Sequence, residues 1–258
     1  MGVSRTVEDA GALGGVSALA AWCRAPHIDA MLKFTPILLA ILYALAMYRF
    51  SAWRTGKELD ARSTPLTDPI LTHHVSQLAH ALDLPQIDVF IYEIAPVNGL
   101  AAPDGRIFLT RGFYNKYRSG AVSSAEMSSV IAHELGHVAL GHARRRMIDF
   151  SGQNAIRTAL IMVLGRFLPG LGILIANAVT SLLSARLSRQ DEYEADAYAA
   201  ALLTKAGIGT DAQKSLFRKL EKLTGGGGRG APVWMMSHPA TDDRIKAIEA
   251  LEKRWAQA

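Results

Sequence analysis

The stretch SSAEMSSVIAHELGHVALGHARRR, residues 123–146, decides how the rest of the chain is read. Ser123 and Glu126 stand three apart, the spacing of a capping box, so a helix is expected to begin there. No proline follows before Arg146, and Arg144, Arg145 and Arg146 would suit the negative C-terminal end of one continuous helix. On such a helix His133 and His137, four residues apart, project from one face. Two imidazoles so placed can grip one metal ion, and Glu134 can reach a water molecule on that ion. This is the H-E-x-x-H pattern of a zinc site with a carboxylate poised as base.

A catalytic zinc site takes three protein ligands and leaves a fourth position open. In one branch of the motif, H-E-x-x-H-x-x-G-x-x-H, the third ligand lies on the same stretch. Leu140 and Ala143 occupy the positions of that glycine and histidine, which excludes the branch. His142 lies five residues after His137, about 140° around the expected helix, and reads as a helix-surface histidine. SRQDEYEADAYAAALL, from residue 188, is the better source. Glu192 and Asp196 are four apart in an uninterrupted helix-forming run, so they share a face. One carboxylate can bind zinc while the other accepts the N–H of a ligand histidine and fixes its tautomer. Glu194 points elsewhere and reads as a solvated charge.

The pairing of HELGH with E-x-x-x-D about 55 residues later is far more specific than either part. With HELGHVALGH at 133–142, SRQDEYEAD at 188–196 and HPATDDRI at 238–245, the chain resembles the HtpX-type and CAAX-prenyl-protease family of membrane-linked zinc metallopeptidases, in the gluzincin branch. NGLAAPDGRIFLTRGF, 98–113, is similar to that family's strand pair, with Gly99 where alanine is usual. The resemblance covers roughly residues 65–250. It implies one Zn2+ per chain held by His133, His137 and Glu192, with Glu134 as the base. It also nominates His238 as a donor to the oxyanion, Arg244 as a residue orienting Glu192 or its surroundings, and Asn98, Gly99, Leu100 and Ala101 as substrate-binding. Asp196 falls in the shell behind the ligands.

Of 258 residues half are apolar, and the formal charge is +5. The basic residues are scattered among long apolar runs, which fits an anionic membrane surface and not a nucleic-acid partner. A single cysteine, Cys23, rules out an intramolecular disulfide. Residues 1–30 read as a tail; Glu8 and Asp9 give no basic n-region, so a cleaved secretory signal is not expected. MLKFTPILLAILYALAMYRF, 31–50, is apolar all round and long enough for a transmembrane anchor, with Tyr43, Tyr48 and Phe50 near its exit. Residues 51–66 read as a polar linker.

Asp68 and Pro69 read as the cap and first residue of a helix whose stripe is Leu71, Val75, Leu78 and Leu82. IDVFIYEI (87–94) and RIFLT (106–110) read as strands, with Asp104-Gly105 as the turn before the second. An exposed edge of such a sheet can pair an extended peptide. The apolar region 155–185, broken by Arg166 and Pro169-Gly170, reads as a helical hairpin that lies on or dips into the bilayer without crossing it. Helices are expected over about 211–223 and from Thr241 onward, with Gly225–Gly228 as a flexible linker.

These readings give an α+β, mainly helical, zincin-type metallopeptidase domain over 65–256 behind a single-pass anchor. Arg24 and Lys33 precede the anchor and Arg49, Arg54, Lys57 and Arg62 follow it, which places the domain in the cytoplasm. The expected activity is zinc-dependent endopeptidase cleavage of polypeptides, membrane proteins above all, in quality control. The alternatives are a prenyl-CAAX processing peptidase, for which the chain has too few apolar segments to build a chamber, and a catalytically silent zinc-binding scaffold, which would have no use for Glu134.

Overall fold

The computed structural model describes residues 26–102, 104–168, 171–223 and 241–257. The chain divides into two compact units, residues 1–57 and 58–258. The architecture is mainly helical with one small mixed sheet.

Helix α1, Pro26–Ala61, contains the apolar run 31–50 and continues through the stretch read as a linker. Ala52, Arg54, Lys57, Glu58 and Leu59 are good helix formers, no proline interrupts them, and Gly56 is carried within the helix. Leu59 is buried, and Tyr92 Oη donates to Glu58 Oε1 at 3.0 Å, so the end of α1 is tied to the sheet. Strand β1, Ser63–Pro65, follows at once, also inside the expected linker.

Helix α2, Pro69–Ala81, starts as the sequence predicts: the Asp68 carboxylate accepts from the N–H groups of Ile70 and Leu71. Leu71, Val75 and Leu78 are buried along one stripe, with Leu82 packed at its end. Strands β2 (Val89–Tyr92), β3 (Gly99–Ala101) and β4 (Ile107–Thr110) complete a sheet ordered β1-β2-β4-β3. β2 runs parallel to β4, while β1 and β3 are antiparallel to their neighbours. Side chains alternate in the period-2 manner of strands. Val89, Ile91, Ile107 and Leu109 join the main helical core, whereas Tyr92 and Phe108 form a second small cluster with Leu59 and Ala102.

Helix α3, Arg111–Arg118, leads to α4, Ser124–Ala139, which carries the H-E-x-x-H residues through the middle of the core. Then come α5 (His142–Phe167), α6 (Leu171–Lys205), α7 (Asp211–Leu223) and α8 (Thr241–Trp255). α5 and α6 pack against each other and extend well beyond 155–185 at both ends, and the helix bearing Glu192 is the continuous second arm. The bend at Pro169-Gly170 lies outside the described residues, as do residues 1–25 of the expected tail 1–30 and Gly225–Gly228, while 26–30 belong to α1. Among the described residues one helix, Leu171–Lys205, is long and apolar enough to cross a membrane by length and composition.

Candidate metal centre

The capping box expected at Ser123 is present. Its hydroxyl accepts from Glu126 N–H at 3.2 Å, and Glu126 Oε2 accepts from Ser123 N–H at 2.8 Å. That start sets the rotation of α4, so that His133 and Glu134 are buried and His137 is half-buried. α6 crosses close by because position 136 is glycine: a Cβ there would lie 3.0 Å from the carbonyl oxygen of Ala195 and 3.1 Å from its Cα. The close crossing brings Glu192 to the two histidines.

Three donor groups converge. His133 Nε2 lies 3.1 Å from His137 Nε2 and 3.3 Å from Glu192 Oε2, and His137 Nε2 lies 3.5 Å from Glu192 Oε1. Ligands at about 2.0–2.1 Å from a tetrahedral ion stand about 3.3 Å apart. Two imidazole nitrogens and a carboxylate at this spacing, each on a rigid helix, fit a metal ion of that size.

Asp196, one turn beyond Glu192, performs the task expected of a carboxylate behind a ligand. Its Oδ1 accepts from His133 Nδ1 at 2.9 Å, directing Nε2 of that ring at the centre. Arg244 of α8 donates to the same carboxylate from Nε at 2.6 Å and Nη2 at 2.7 Å, and Nη2 lies 3.8 Å from Glu192 Oε2. Its guanidinium also stacks on Phe217 of α7, 4.3 Å from the ring centre. Both members of the pair are buried, so the last helix is locked to the back of the site. Burial opposes charge on His133, but hydrogen bonds to Asp196 and Glu192 outweigh it and lift the metal-free imidazole to about 9.

The sheet supplies the other wall. A Cβ on Gly99 would lie 2.7 Å from Val130 Cγ1 and 3.4 Å from Glu134 Oε1, so glycine lets β3 approach Glu134 more closely than alanine would. Asn98 is anchored by its backbone, its N–H donating to Thr110 Oγ1 at 2.9 Å and its carbonyl accepting from that hydroxyl at 3.0 Å. Leu100 and Ala101 are half-buried on β3, an edge strand of the sheet. His238 lies outside the described residues.

Three expectations fail here. α4 does not run on to Arg146: it ends at Ala139, and Gly141 takes the left-handed conformation at φ 65° before α5 begins at His142. The three arginines therefore sit in the first turn of α5. His142 is no surface residue; it is 1% exposed, with Nδ1 2.7 Å from His137 Nδ1. Arg145 Nη1 pairs with Glu194 Oε2 at 2.6 Å, and Arg146 reaches Asp191 at 3.0 Å and Glu192 Oε1 at 3.3 Å. Glu194 is likewise a partner in this network, not a solvated charge. The missed signal is Gly141 itself, a residue suited to the left-handed end of a helix.

Comparison with known proteins identifies the family. Residues 65–252 match Peptidase family M48. Over 178 residues the chain is 30% identical to Metalloprotease LoiP of Escherichia coli, a stretch covering 69% of this chain and 68% of that one. It is 28% identical over 263 residues to Protease HtpX of Nitrosococcus oceani, covering 87% of this chain and 86% of the relative. With Mitochondrial metalloendopeptidase OMA1 of Arabidopsis thaliana it shares 29% identity over 163 residues, 62% of this chain but 30% of that longer protein. The match spans most of the sequence and contains every donor atom of the centre: the chain belongs to Peptidase family M48 and is a metalloendopeptidase.

Proposed function

We propose that this chain is a membrane-anchored zinc endopeptidase acting in membrane-protein quality control, with His133, His137 and Glu192 as the zinc ligands and Glu134 as general base. The convergence of His133 Nε2, His137 Nε2 and the Glu192 carboxylate, whose two oxygens lie 3.3 and 3.5 Å from the imidazole nitrogens, carries the reading. Zinc in such a site acidifies a water molecule and polarises the scissile carbonyl. Glu134, next to His133 on α4 and facing β3, takes the proton of the attacking water and passes it to the departing amine. Asp196 keeps the His133 tautomer, and Arg244 holds Asp196 ionised. An extended substrate lies along the outer edge of β3, bonded to the backbone of Asn98–Ala101. His238 donates to the oxyanion, a role that rests on the HPATDDRI motif alone.

Exposed apolar side chains support membrane contact. α1 presents Leu38, Leu39, Ile41, Leu42 and Tyr43, and the hairpin presents Met162, Val163, Phe167, Leu171 and Leu174. His142 at the start of α5 and Glu194 on α6 lie in contact, so both arms of the hairpin return to the same side. A zincin-type domain on the cytoplasmic side of a single span over 31–50, with the hairpin dipping into the bilayer, meets these conditions.

Cleavage of an unfolded model polypeptide by the full chain in detergent tests the reading. Wild type should cleave in a chelator-sensitive manner, while Glu134→Gln should keep zinc and lose cleavage by at least about a hundredfold. Full chelator-sensitive activity in Glu134→Gln would exclude Glu134 as the base.

A further inference from the structure

Among the described residues one buried histidine has no part in the proposed hydrolysis. His142 opens α5, and its two ring nitrogens face different partners: Nδ1 is 2.7 Å from His137 Nδ1, and Nε2 is 3.3 Å from Glu194 Oε2. His137 turns Nε2 towards His133 Nε2 and Glu192, at 3.1 and 3.5 Å. As a zinc ligand through that nitrogen, its ring carries a proton on Nδ1. That N–H donates, so the facing nitrogen of His142 must show a lone pair and the His142 proton must sit on Nε2. Glu194 Oε2 accepts it, and Arg145 Nη1, 2.6 Å from the same oxygen, holds Glu194 ionised.

We propose that His142 is a positioning residue for the metal centre, accepting the hydrogen bond of His137 Nδ1, with the Glu194–Arg145 pair fixing the tautomer that lets it accept. The proposal rests on the reading of His137 as a zinc ligand. The two ligand histidines are then held by different devices. His133 is backed by an ionised carboxylate that Arg244 braces, and His137 by a neutral imidazole that a carboxylate–guanidinium pair braces. The donors of His142, Asp191 and Glu194 also cluster closely enough to hold an ion of their own. Arg145 and Arg146 already pair with those carboxylates at 2.6 and 3.0 Å, so a second cation would have to displace two guanidiniums.

Competition for Zn2+ between the full chain and a chromophoric chelator tests the inference without reference to activity. His142→Phe keeps a flat ring of similar size but offers no acceptor, and should weaken zinc binding about 10- to 100-fold. His142→Asn, whose carbonyl can stand in for Nδ1, should restore most of the affinity. Wild-type affinity in His142→Phe, or equal losses in the Phe and Asn variants, would overturn the acceptor role. Should His142→Phe fail to fold, Glu194→Leu decides: it leaves His142 in place, removes the partner of its Nε2–H, and should weaken zinc in the same direction. Unchanged affinity there would overturn the proposal. A wild-type chain that binds no zinc would instead remove the metal reading on which this one stands.

Discussion

Gly136 of α4 lies against the backbone of Ala195 on α6, with room for a hydrogen and nothing larger: an added Cβ would meet the Ala195 carbonyl oxygen at 3.0 Å. The contact sets how close the helix of His133 and His137 comes to the helix of Glu192. Because its neighbours there are backbone atoms, the helices themselves must give way. Gly136→Ala gains helix propensity but overpacks the crossing, and should cost about 1–3 kcal/mol of stability. Zinc affinity should fall with it, and Gly136→Val should lose more of both. Denaturation and chelator competition on the same samples check this. A Gly136→Val chain that held zinc as tightly as wild type would show that the crossing does not govern the site.

Arg244 and Asp196 form a buried bidentate pair, at 2.6 and 2.7 Å, joining the last helix to α6. Arg244→Met leaves a carboxylate buried beside Glu192 with its main cation gone, and should destabilise the domain by about 3–5 kcal/mol. Asp196→Asn should lose stability and also zinc, since Asp196 accepts from His133 Nδ1. Urea unfolding of both variants separates the two roles. Arg244→Met with wild-type stability would show that the apolar face of α8, Ile245 and Ile248, and the Glu252–Lys214 pair hold it without the Arg244–Asp196 bridge.

Two groups give pH dependences of opposite sign. Glu126 is buried, which works to raise its pKa, but Lys219, the Ser123 N–H and Ser215 outweigh this and hold it below its ordinary 4.5. Its stabilisation is thus full above about 4.5 and is lost as pH falls through the lower folded value. Glu126→Gln should flatten the acid limb of the stability profile; an unchanged limb would remove Glu126 from the account. Metal-free His133, raised from 6.5 to about 9, behaves the other way. It stabilises the apoprotein fully below 6.5, and the gain is lost as pH rises through 9. Zinc must displace that proton, so apparent zinc affinity should rise up to about tenfold per pH unit until pH reaches about 9. Calorimetry in buffers of different ionisation enthalpy reads the released proton directly. Binding with no proton release at pH 7 would contradict the assignment.

The topology is open to cysteine labelling in a Cys23→Ser background. Single cysteines replacing Phe167, near the bend of the hairpin, and Arg189, close to the metal-binding turn of α6, distinguish the arrangements. The Arg189 position should react with an impermeant reagent from the cytoplasmic side. The Phe167 position should react from that side or from neither. Labelling of Phe167→Cys only from the opposite side would mean that the hairpin crosses.

How much of this was legible in the sequence follows from how local each determinant is. The start of α4 is written in Ser123 and Glu126, the start of α2 in Asp68 and Pro69, and the shared face of His133 and His137 in their spacing. Glu192 and Asp196 were legible for the same reason, and the structure brings both to His133. What failed depended on where a helix stops. A single residue, Gly141 at φ 65°, moves His142, Arg145 and Arg146 from the end of one helix to the start of another, burying His142 and turning the two half-exposed arginines onto the carboxylates of α6. The stretch 51–61 looked like a linker because it is polar; its helical state is settled by continuity with α1 and by two long-range contacts, Leu59 in the small cluster and Glu58 with Tyr92. β1, three residues long and containing Pro65, has no pattern to read and exists through pairing with β2.

If His133, His137 and Glu192 hold one zinc ion, X-ray absorption at the zinc edge, with metal content measured on the same purified chain, will show it. About one zinc per chain is expected, with only nitrogen and oxygen neighbours at about 2.0–2.1 Å, outer-shell scattering from two imidazoles, and loss of the metal in Glu192→Ala. A chain purified without zinc, a sulfur neighbour at about 2.3 Å, or a Glu192→Ala variant with the same spectrum as wild type would contradict that ligand set.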